Sequence, residues 1–360
     1  MNITKATNQF EKWLGQHTAL VKRDVSFKHR RMAESPLCFL RATFYRWMQI
    51  WPKVCPVLNK APKVLAVGDL HIENFGTWRD VEGRLIWGVN DFDEAAALPY
   101  TLDLVRLASS ALLATAQGHI GIKAKDICAA ILDGYRKSLA AGGLPFVLAE
   151  DHVWLRDIAF VESRDPVHFW QGMAALPRAR KEIPPSAQDA LEHLMPAPKL
   201  AYQVFTRTAG LGSLGHMRFV AIAEFDGGQI AREAKALTPS AVNWAGESKR
   251  TVIDYQAIVN QAVRCPDPFV QLRGRWVVRR LAPYCSRIEL TSVPRECDES
   301  RLLSAMGWET ANIHLGSRKS IREVRAHFKN LEAGWLLSAA KDMADAISAD
   351  WRSWTKALRP

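Results

Sequence analysis

The sequence predicts an α+β fold in two lobes, one mostly helical and one built on a small antiparallel sheet. Three observations carry that expectation. Apolar residues recur at helical spacing over about 4–60, 102–140 and the last 60 residues, the mark of helices that turn one face to a core. Two short apolar runs, 64–67 and 85–89, each end in a turn bearing carboxylates. From Val204 the texture becomes that of strands, with glycine-containing turns between them, as hairpins require.

In chain order, the first 60 residues are helical and basic, with Arg30, Arg31, Arg41 and Arg46 among Phe39, Phe44, Tyr45 and Trp47. Aromatics between arginines can line a nucleic-acid groove, but at helical spacing they more often form a core face with a solvated rim. Residues 63–94 read as strand, loop, strand, loop. A helix over 102–116 carries Leu102, Val105, Leu107 and Leu112, and another runs over 123–140. The segment 141–200 holds much of the proline, including Pro184 and Pro185, so loops, short helices and a lobe boundary are expected there. Strands follow at 204–208, 219–225 and 229–235, the last two joined by Asp226-Gly227-Gly228. A helix near 252–263 leads to a second strand pair, 276–281 and 287–290, and the terminal helices carry Trp351 and Trp354. The expected units are a catalytic part at 1–200, a β-rich part at 201–292 and helices over 293–360 that return to the first.

A chain of 360 residues buries enough surface to need no disulfide or metal staple. Lys and Arg outnumber Asp and Glu, 48 to 37, for a formal charge of +11, which favours anionic partners without choosing among nucleotides, nucleic acid and acidic lipid. The 48% hydrophobic and 24% charged content is that of a folded globular protein. Cys38, Cys55, Cys128, Cys265, Cys285 and Cys297 are scattered, with no CxxC pair, and read as reduced thiols in a cytoplasmic protein. No apolar run has the length of a signal peptide or a membrane span.

The sharpest local pattern is Gly68-Asp69-Leu70-His71-Ile72-Glu73-Asn74, followed by Asp91-Phe92-Asp93-Glu94. Asp69 and Asn74 end one strand, and a carboxylate cluster ends the next. Phosphoryl transfer needs this arrangement: a carboxylate to orient or deprotonate the acceptor hydroxyl, and hard oxygen ligands to hold Mg²⁺ against nucleotide phosphates. A second pattern, Gly210-Leu211-Gly212-Ser213-Leu214-Gly215, lies between strands. A dinucleotide-binding loop would open a helix, whereas a glycine loop between antiparallel strands can cover ATP phosphates with backbone N–H groups. The next strand then supplies a cation for the phosphates, either Lys235 or Arg232, since strand register is not legible from sequence.

The spacing D-x-x-x-x-N resembles the catalytic loop of the protein-kinase-like superfamily, and GDLHIEN is similar to the GDLHxxN loop of aminoglycoside and choline kinases. That resemblance implies Asp69 as catalytic base, Asn74 as a metal ligand, Asp91 as the main metal ligand and Asp93 as a second one. It also implies ATP and Mg²⁺ as cofactors and a small-molecule hydroxyl as acceptor. Here the glycine loop follows the catalytic loop by about 140 residues, so a kinase-like fold would have to be circularly permuted.

Arg31-Met32, Ser35-Pro36, Phe39-Leu40-Arg41, GDLHIENFG, NDFDEA, Asp103-Leu104-Val105-Arg106-Leu107, GLGSLG and REAKALTPSA occur in that order. They resemble the bacterial family catalogued as domain of unknown function 2252, over about 30–330. Arg41-Ala42 stands where Arg-Gly is usual there, and Arg232-Glu233-Ala234 where Lys-Glu-Ala is common. The resemblance implies that Asp103 braces the catalytic loop through backbone N–H groups, with Arg106 pairing to Asp103 or Asp93. His71 is read as bonding a neighbouring carboxylate, and Glu233 or Glu247 as the partner of the phosphate-binding lysine.

Two other functions compete. A metallophosphoesterase can open on Gly-Asp-x-His, but its further GDxxDR and GNH elements do not occur. A basic pseudokinase or nucleic-acid-binding module would bind anions with a steep salt dependence.

Overall fold

The structure, a computed structural model, describes all residues except 149–151, 161–163, 181, 249, 286, 289–297 and 359–360. Among the described residues the strands form three antiparallel sheets. Strand Lys63–Ala66 pairs with Ala96–Pro99, with Ala66 opposite Ala96. Between them in sequence, Phe75–Arg79 and Leu85–Val89 form a hairpin with Phe75 opposite Val89, extended by the short strand Phe146–Val147. The expected strand, loop, strand, loop unit is therefore a hairpin nested between the strands of an outer pair. Its consequence is geometric, because loops 67–74 and 90–95 each run from one pair to the other and lie side by side.

The five-stranded sheet has the order Gln203–Thr206, Arg218–Phe225, Gly228–Ala236, Trp276–Leu281, Gln271–Arg273. Its central hairpin closes with Phe225 opposite Gly228, leaving a two-residue turn with Asp226 and Gly227 both at positive φ, the geometry whose twist matches the strands. Both faces are covered. Helix Pro185–His193 lays Ala187, Ala190 and Leu191 on Ala221, Ala234 and Trp276, and helix Pro166–Ala174 brings Met173 to Phe205, Val220 and Ala231 on the other side.

Two boundaries need correction. The expected lobe boundary at 200 falls too late, because those two helices bury their apolar faces against the sheet rather than in the main core. Within 201–292 the helix expected near 252–263 is present as Tyr255–Gln261, but Ala241, Tyr255 and Ile258 pack into the main helical core rather than on the sheet, so the β-rich part is not a separate unit over that whole span. Strand Trp276–Leu281 pairs with Gly228–Ala236 and Gln271–Arg273 rather than with 287–290. Arg287 instead makes a single bridge to Gly76, and residues 289 and 290 lie outside the described residues.

The main core gathers the N-terminal helices, helix Tyr100–Thr115 and the terminal helices Glu299–Leu315 and Trp335–Leu358. Phe39, Phe44, Tyr45 and Trp47 are all buried in it, so the N-terminal aromatics serve packing. Helix Tyr100–Thr115 is buried on nearly every side, as a helix apolar around most of its circumference must be. No helix among the described residues is long and apolar enough to cross a membrane.

Candidate active site

Helix Tyr100–Thr115 organises the first loop. Asp103, Arg106 and Ser110 follow one another at helical spacing and share a face, and each holds a different part of segment 67–72. Asp103 accepts hydrogen bonds from the backbone N–H groups of Val67 (2.8 Å) and Gly68 (2.9 Å). Ser110 Oγ accepts from Ile72 N–H at 3.0 Å. Arg106 Nε donates to Asp69 Oδ1 at 2.9 Å, so it pairs with Asp69 rather than with Asp103 or Asp93 as expected. Its guanidinium is fully buried, stacked over Phe44 and Trp47 with centroid distances of 5.0 and 4.8 Å. Behind Asp103, His314 Nε2 lies 3.1 Å from Oδ2 and Tyr135 Oη bonds His314 Nδ1 at 2.9 Å. Gly68 has φ +80°, and a Cβ there would sit 2.6 Å from the Glu94 carbonyl, so only glycine fits where the two loops touch.

Asn74 ties the loops together. Its Nδ2 donates to the Asp69 carbonyl (3.1 Å) and to the Asp91 carbonyl (3.2 Å), while Asn90 N–H returns a bond to the Asn74 carbonyl at 3.2 Å. Because both side-chain partners are acceptors, the amide nitrogen must face them. Its Oδ1 is left buried with no hydrogen-bond partner. The Asp91 carboxylate beside it opens into the cleft, with the side chain 43% exposed.

Lys235 reaches these loops from the sheet. Its Nζ lies 2.5 and 2.7 Å from the Asp93 oxygens and 3.4 Å from Asp91 Oδ1. Arg232, three residues earlier on the strand, necessarily points to the opposite face. There it donates to the Leu194 carbonyl at 2.9 Å and stacks 4.6 Å from the centroid of Phe269, so the ambiguity between the two cations resolves to Lys235. Neither expected glutamate pairs with Lys235. Glu233 is fully buried and bonded by Arg207, Arg218 and Arg279 at 2.7, 2.9 and 2.8 Å, and Glu247 is exposed.

The glycine loop lies directly over Asp69. A Cβ on Gly212 would be 3.3 Å from Asp69 Oδ2 and from the Arg41 carbonyl. Helix Lys22–Glu34 holds the loop down, with Lys28 Nζ donating to the Gly212 carbonyl at 2.8 Å, while Val21 N–H donates to the Gly215 carbonyl at 2.8 Å. Ser213 Oγ accepts from Arg218 at 2.9 Å, and Gly210 lies alongside the same guanidinium. The cavity so enclosed has a volume of about 60 Å³, against roughly 300–1,000 Å³ for a ligand pocket. A molecule the size of a nucleotide would fit here only with the glycine loop displaced.

The carboxyls differ in their electrostatics. Burial pushes Asp69 up to about 6, with the Arg106 guanidinium opposing and the Asp91 charge adding to the rise. Partial loss of solvent would raise Asp91 too, but Lys235, a hydrogen bond with Asp93, Arg279 and Arg218 outweigh it and hold the carboxyl below its ordinary range. Burial and the neighbouring Asp91 charge raise Asp93 in spite of Lys235. Glu94 is raised to about 7 by burial, against hydrogen bonds from Ser240 and Ala241. His71 is held well below its usual range, first by burial and then by Arg41, Arg106 and Arg287; its Nδ1 accepts the Glu73 N–H at 3.2 Å.

The structure thus gathers Asp69, His71, Asn74, Asp91, Asp93, Gly210, Gly212 and Ser213 around one cavity, with Lys235 bonded to its carboxylates, Asp103 behind it and Gly215 at the loop's far end. Arg232 is excluded. Sequence reasoning missed Ser110, whose sign is a hydroxyl one further turn along the Asp103 and Arg106 face. It also missed Lys28, Arg41 and Arg287 as cavity residues, and these carry no local pattern. Among the described residues no group of three or more His, Cys, Asp and Glu side chains converges as a metal site. Any cation here would rest on Asn74 Oδ1 and Asp91 together with phosphate or water oxygens, which suits Mg²⁺.

No match was found among curated proteins or among solved structures. Residues 20–157 match the model of a family described as "Uncharacterized protein conserved in bacteria (DUF2252)", a stretch that contains both carboxylate-bearing loops and Asp103-Leu104-Val105-Arg106 but ends before the glycine loop.

Proposed function

We propose that the protein is an ATP- and Mg²⁺-dependent phosphotransferase acting on the hydroxyl of a small molecule, on a two-lobed kinase-like fold whose parts occur in permuted order. The observation that carries the reading is the buried, unpartnered Oδ1 of Asn74, oriented by two bonds on its own nitrogen and set beside an Asp91 that the surrounding cations keep ionised. An orphaned buried oxygen costs about 1–3 kcal/mol, and a ligand that uses it accounts for its retention.

With the glycine loop raised, Lys235 and the backbone N–H groups of 210–215 would hold the nucleotide phosphates. Asn74 and Asp91 would hold Mg²⁺, which neutralises phosphate charge when bound. Arg106 occupies Asp69 Oδ1, so the acceptor hydroxyl is left to meet Oδ2. As its oxygen forms the bond to the γ-phosphorus and the bond to ADP breaks, Asp69 takes the hydroxyl proton. A carboxyl near pKa 6 is ionised at neutral pH yet a better proton acceptor than an ordinary aspartate. Asp103 and Ser110 keep the loop in position by its backbone.

The test is incubation with labelled Mg-ATP and a metabolite extract. Phosphate transfer is expected in the native protein and lost in Asp69→Ala, and transfer that survives this change refutes the site. Anion binding that persists in Asp91→Asn with no turnover in either protein would favour the basic binding module instead.

A further inference from the structure

We infer that Lys28 binds the γ-phosphate of the nucleotide beside Asp69, as a second phosphate-binding lysine that helix Lys22–Glu34 supplies from outside the sheet. The inference rests on the phosphotransferase reading and gives the transferred phosphate of its first substrate a partner.

Among the described residues two lysines are buried, Lys28 and Lys235. A buried ammonium is normally paired with a carboxylate, and Lys235 is, against Asp93. Lys28 is not. Its Nζ donates to the Gly212 carbonyl at 2.8 Å, and no carboxylate among the described residues comes within ion-pair reach of it. Burial therefore lowers the ammonium, with the charges of Glu11, Glu94 and Asp69 opposing from farther away. An unpaired buried charge is a cost to the fold, and an anion that meets it accounts for its retention.

Position says which anion. Lys28 lines the same cavity as Asp69, Asn74 and Asp91. Gly212 stands between Lys28 and Asp69, since its carbonyl takes the lysine while a Cβ on it would be 3.3 Å from Asp69 Oδ2. In the proposed reaction the acceptor hydroxyl meets Oδ2 with the phosphoryl group next to it. The space that Gly212 leaves as the loop rises is then that of the γ-phosphate, and its carbonyl stands on Lys28 where a phosphate oxygen would. Lys235, held to Asp93 and Asp91 on the sheet side, is left for the phosphates nearer the nucleoside.

Helix Lys22–Glu34 is fastened to the core rather than to the loop alone. Met32 is buried in the main core, and Trp351 and Trp354 of helix Trp335–Leu358 donate to the carbonyls of Ala33 (3.1 Å) and His29 (3.2 Å). Lys28 thus has a fixed base, and its flexible stem lets the ammonium follow a phosphate oxygen. As the γ-phosphorus passes from the ADP oxygen to the acceptor oxygen, charge is spread over its three equatorial oxygens, and the ammonium donates to one of them.

The experiment is calorimetric titration of the full chain with Mg-AMP-PNP and with Mg-ADP, which lacks the phosphate concerned. Lys28→Met is expected to weaken Mg-AMP-PNP about tenfold and to change Mg-ADP by no more than about twofold, the retained ADP binding showing that the site is intact. Lys28→Gln, which keeps a donor for the Gly212 carbonyl, should show the same selective loss, and Lys28→Arg, which keeps the charge, should restore most of the discrimination. Equal loss for both nucleotides, no loss for either, or tighter binding of both, as the release of a mere loop latch would give, overturns the inference while leaving the phosphotransferase reading in place. A native protein that binds neither nucleotide strikes that reading, and the inference with it.

Discussion

Asp69 and Asp91 are the same residue type, stand in the same cleft and have their backbone carbonyls held by the same Asn74 amide, yet their carboxyls are displaced in opposite directions. Burial pushes both upward. Asp69 has one strongly coupled cation, the Arg106 guanidinium, and burial prevails. Asp91 has three, Lys235, Arg279 and Arg218, and these together with a hydrogen bond from Asp93 prevail. The difference suits the two tasks that the proposed phosphoryl transfer would assign, a base poised near neutrality and an ionised metal ligand. A third carboxyl keeps the lesson in proportion. Glu309, behind the strand bearing Val89, is also raised to about 7 by burial, but it accepts bonds from Val89 N–H and Asn312 and lies outside the cavity. A raised carboxyl alone is therefore no mark of catalysis.

The comparison can be broken most sharply at Asp91. Asp91→Asn is expected to reduce Mg-dependent ATP turnover by about 10³-fold or more with an unchanged circular dichroism spectrum; activity within a few-fold of native would remove Asp91 from the metal site. Asp69→Asn should lower kcat by about 10²–10⁴-fold with nucleotide affinity retained, a split read by steady-state kinetics alongside a binding titration. For the sheet, Lys235→Ala should cost about 10²-fold in turnover. Arg232→Ala should leave turnover near native and cost about 1–2 kcal/mol of stability through its lost carbonyl bond and ring contact. Reversed effects would mean the strand register is wrong.

The pH profile tests the Asp69 half. The base must be ionised to accept a proton, so turnover should rise about tenfold per unit below the carboxyl's value near 6 and level off above about 7. Arg106→Gln removes the countercharge and should move that rise to higher pH. The smallest effect concerns Glu309. Its folded pKa of about 7 lies above the unfolded value, so between these two values the folded state binds more protons and its contribution to stability falls as pH rises. Denaturant midpoints of Glu309→Gln should show a flatter decline over that window than the native protein. An identical slope would mean Glu309 is not raised.

The legible part of this molecule is local. Gly68-Asp69 to Asn74 and Asp91 to Glu94 are contiguous segments in which residue type and spacing alone set backbone geometry, and Asp103 is one helix face away. The helical periods and the glycine-bearing hairpin declared the α+β class for the same reason, since periods of 3.6 and 2 are properties of neighbouring residues. What depended on packing was not legible. Lys235 rather than Arg232 reaches the site because sheet register decides which face each occupies. Arg106 turns to Asp69 because Phe44 and Trp47, from a separate helix, receive its guanidinium. Glu233 is spent on three arginines drawn from three separate segments, and Arg41 meets Arg287 across nearly 250 residues of chain. By itself the sequence determined which chemical groups the two loops carry. Only the tertiary structure decided which cations face them, because charge interactions act through space and weaken with distance whatever the separation along the chain.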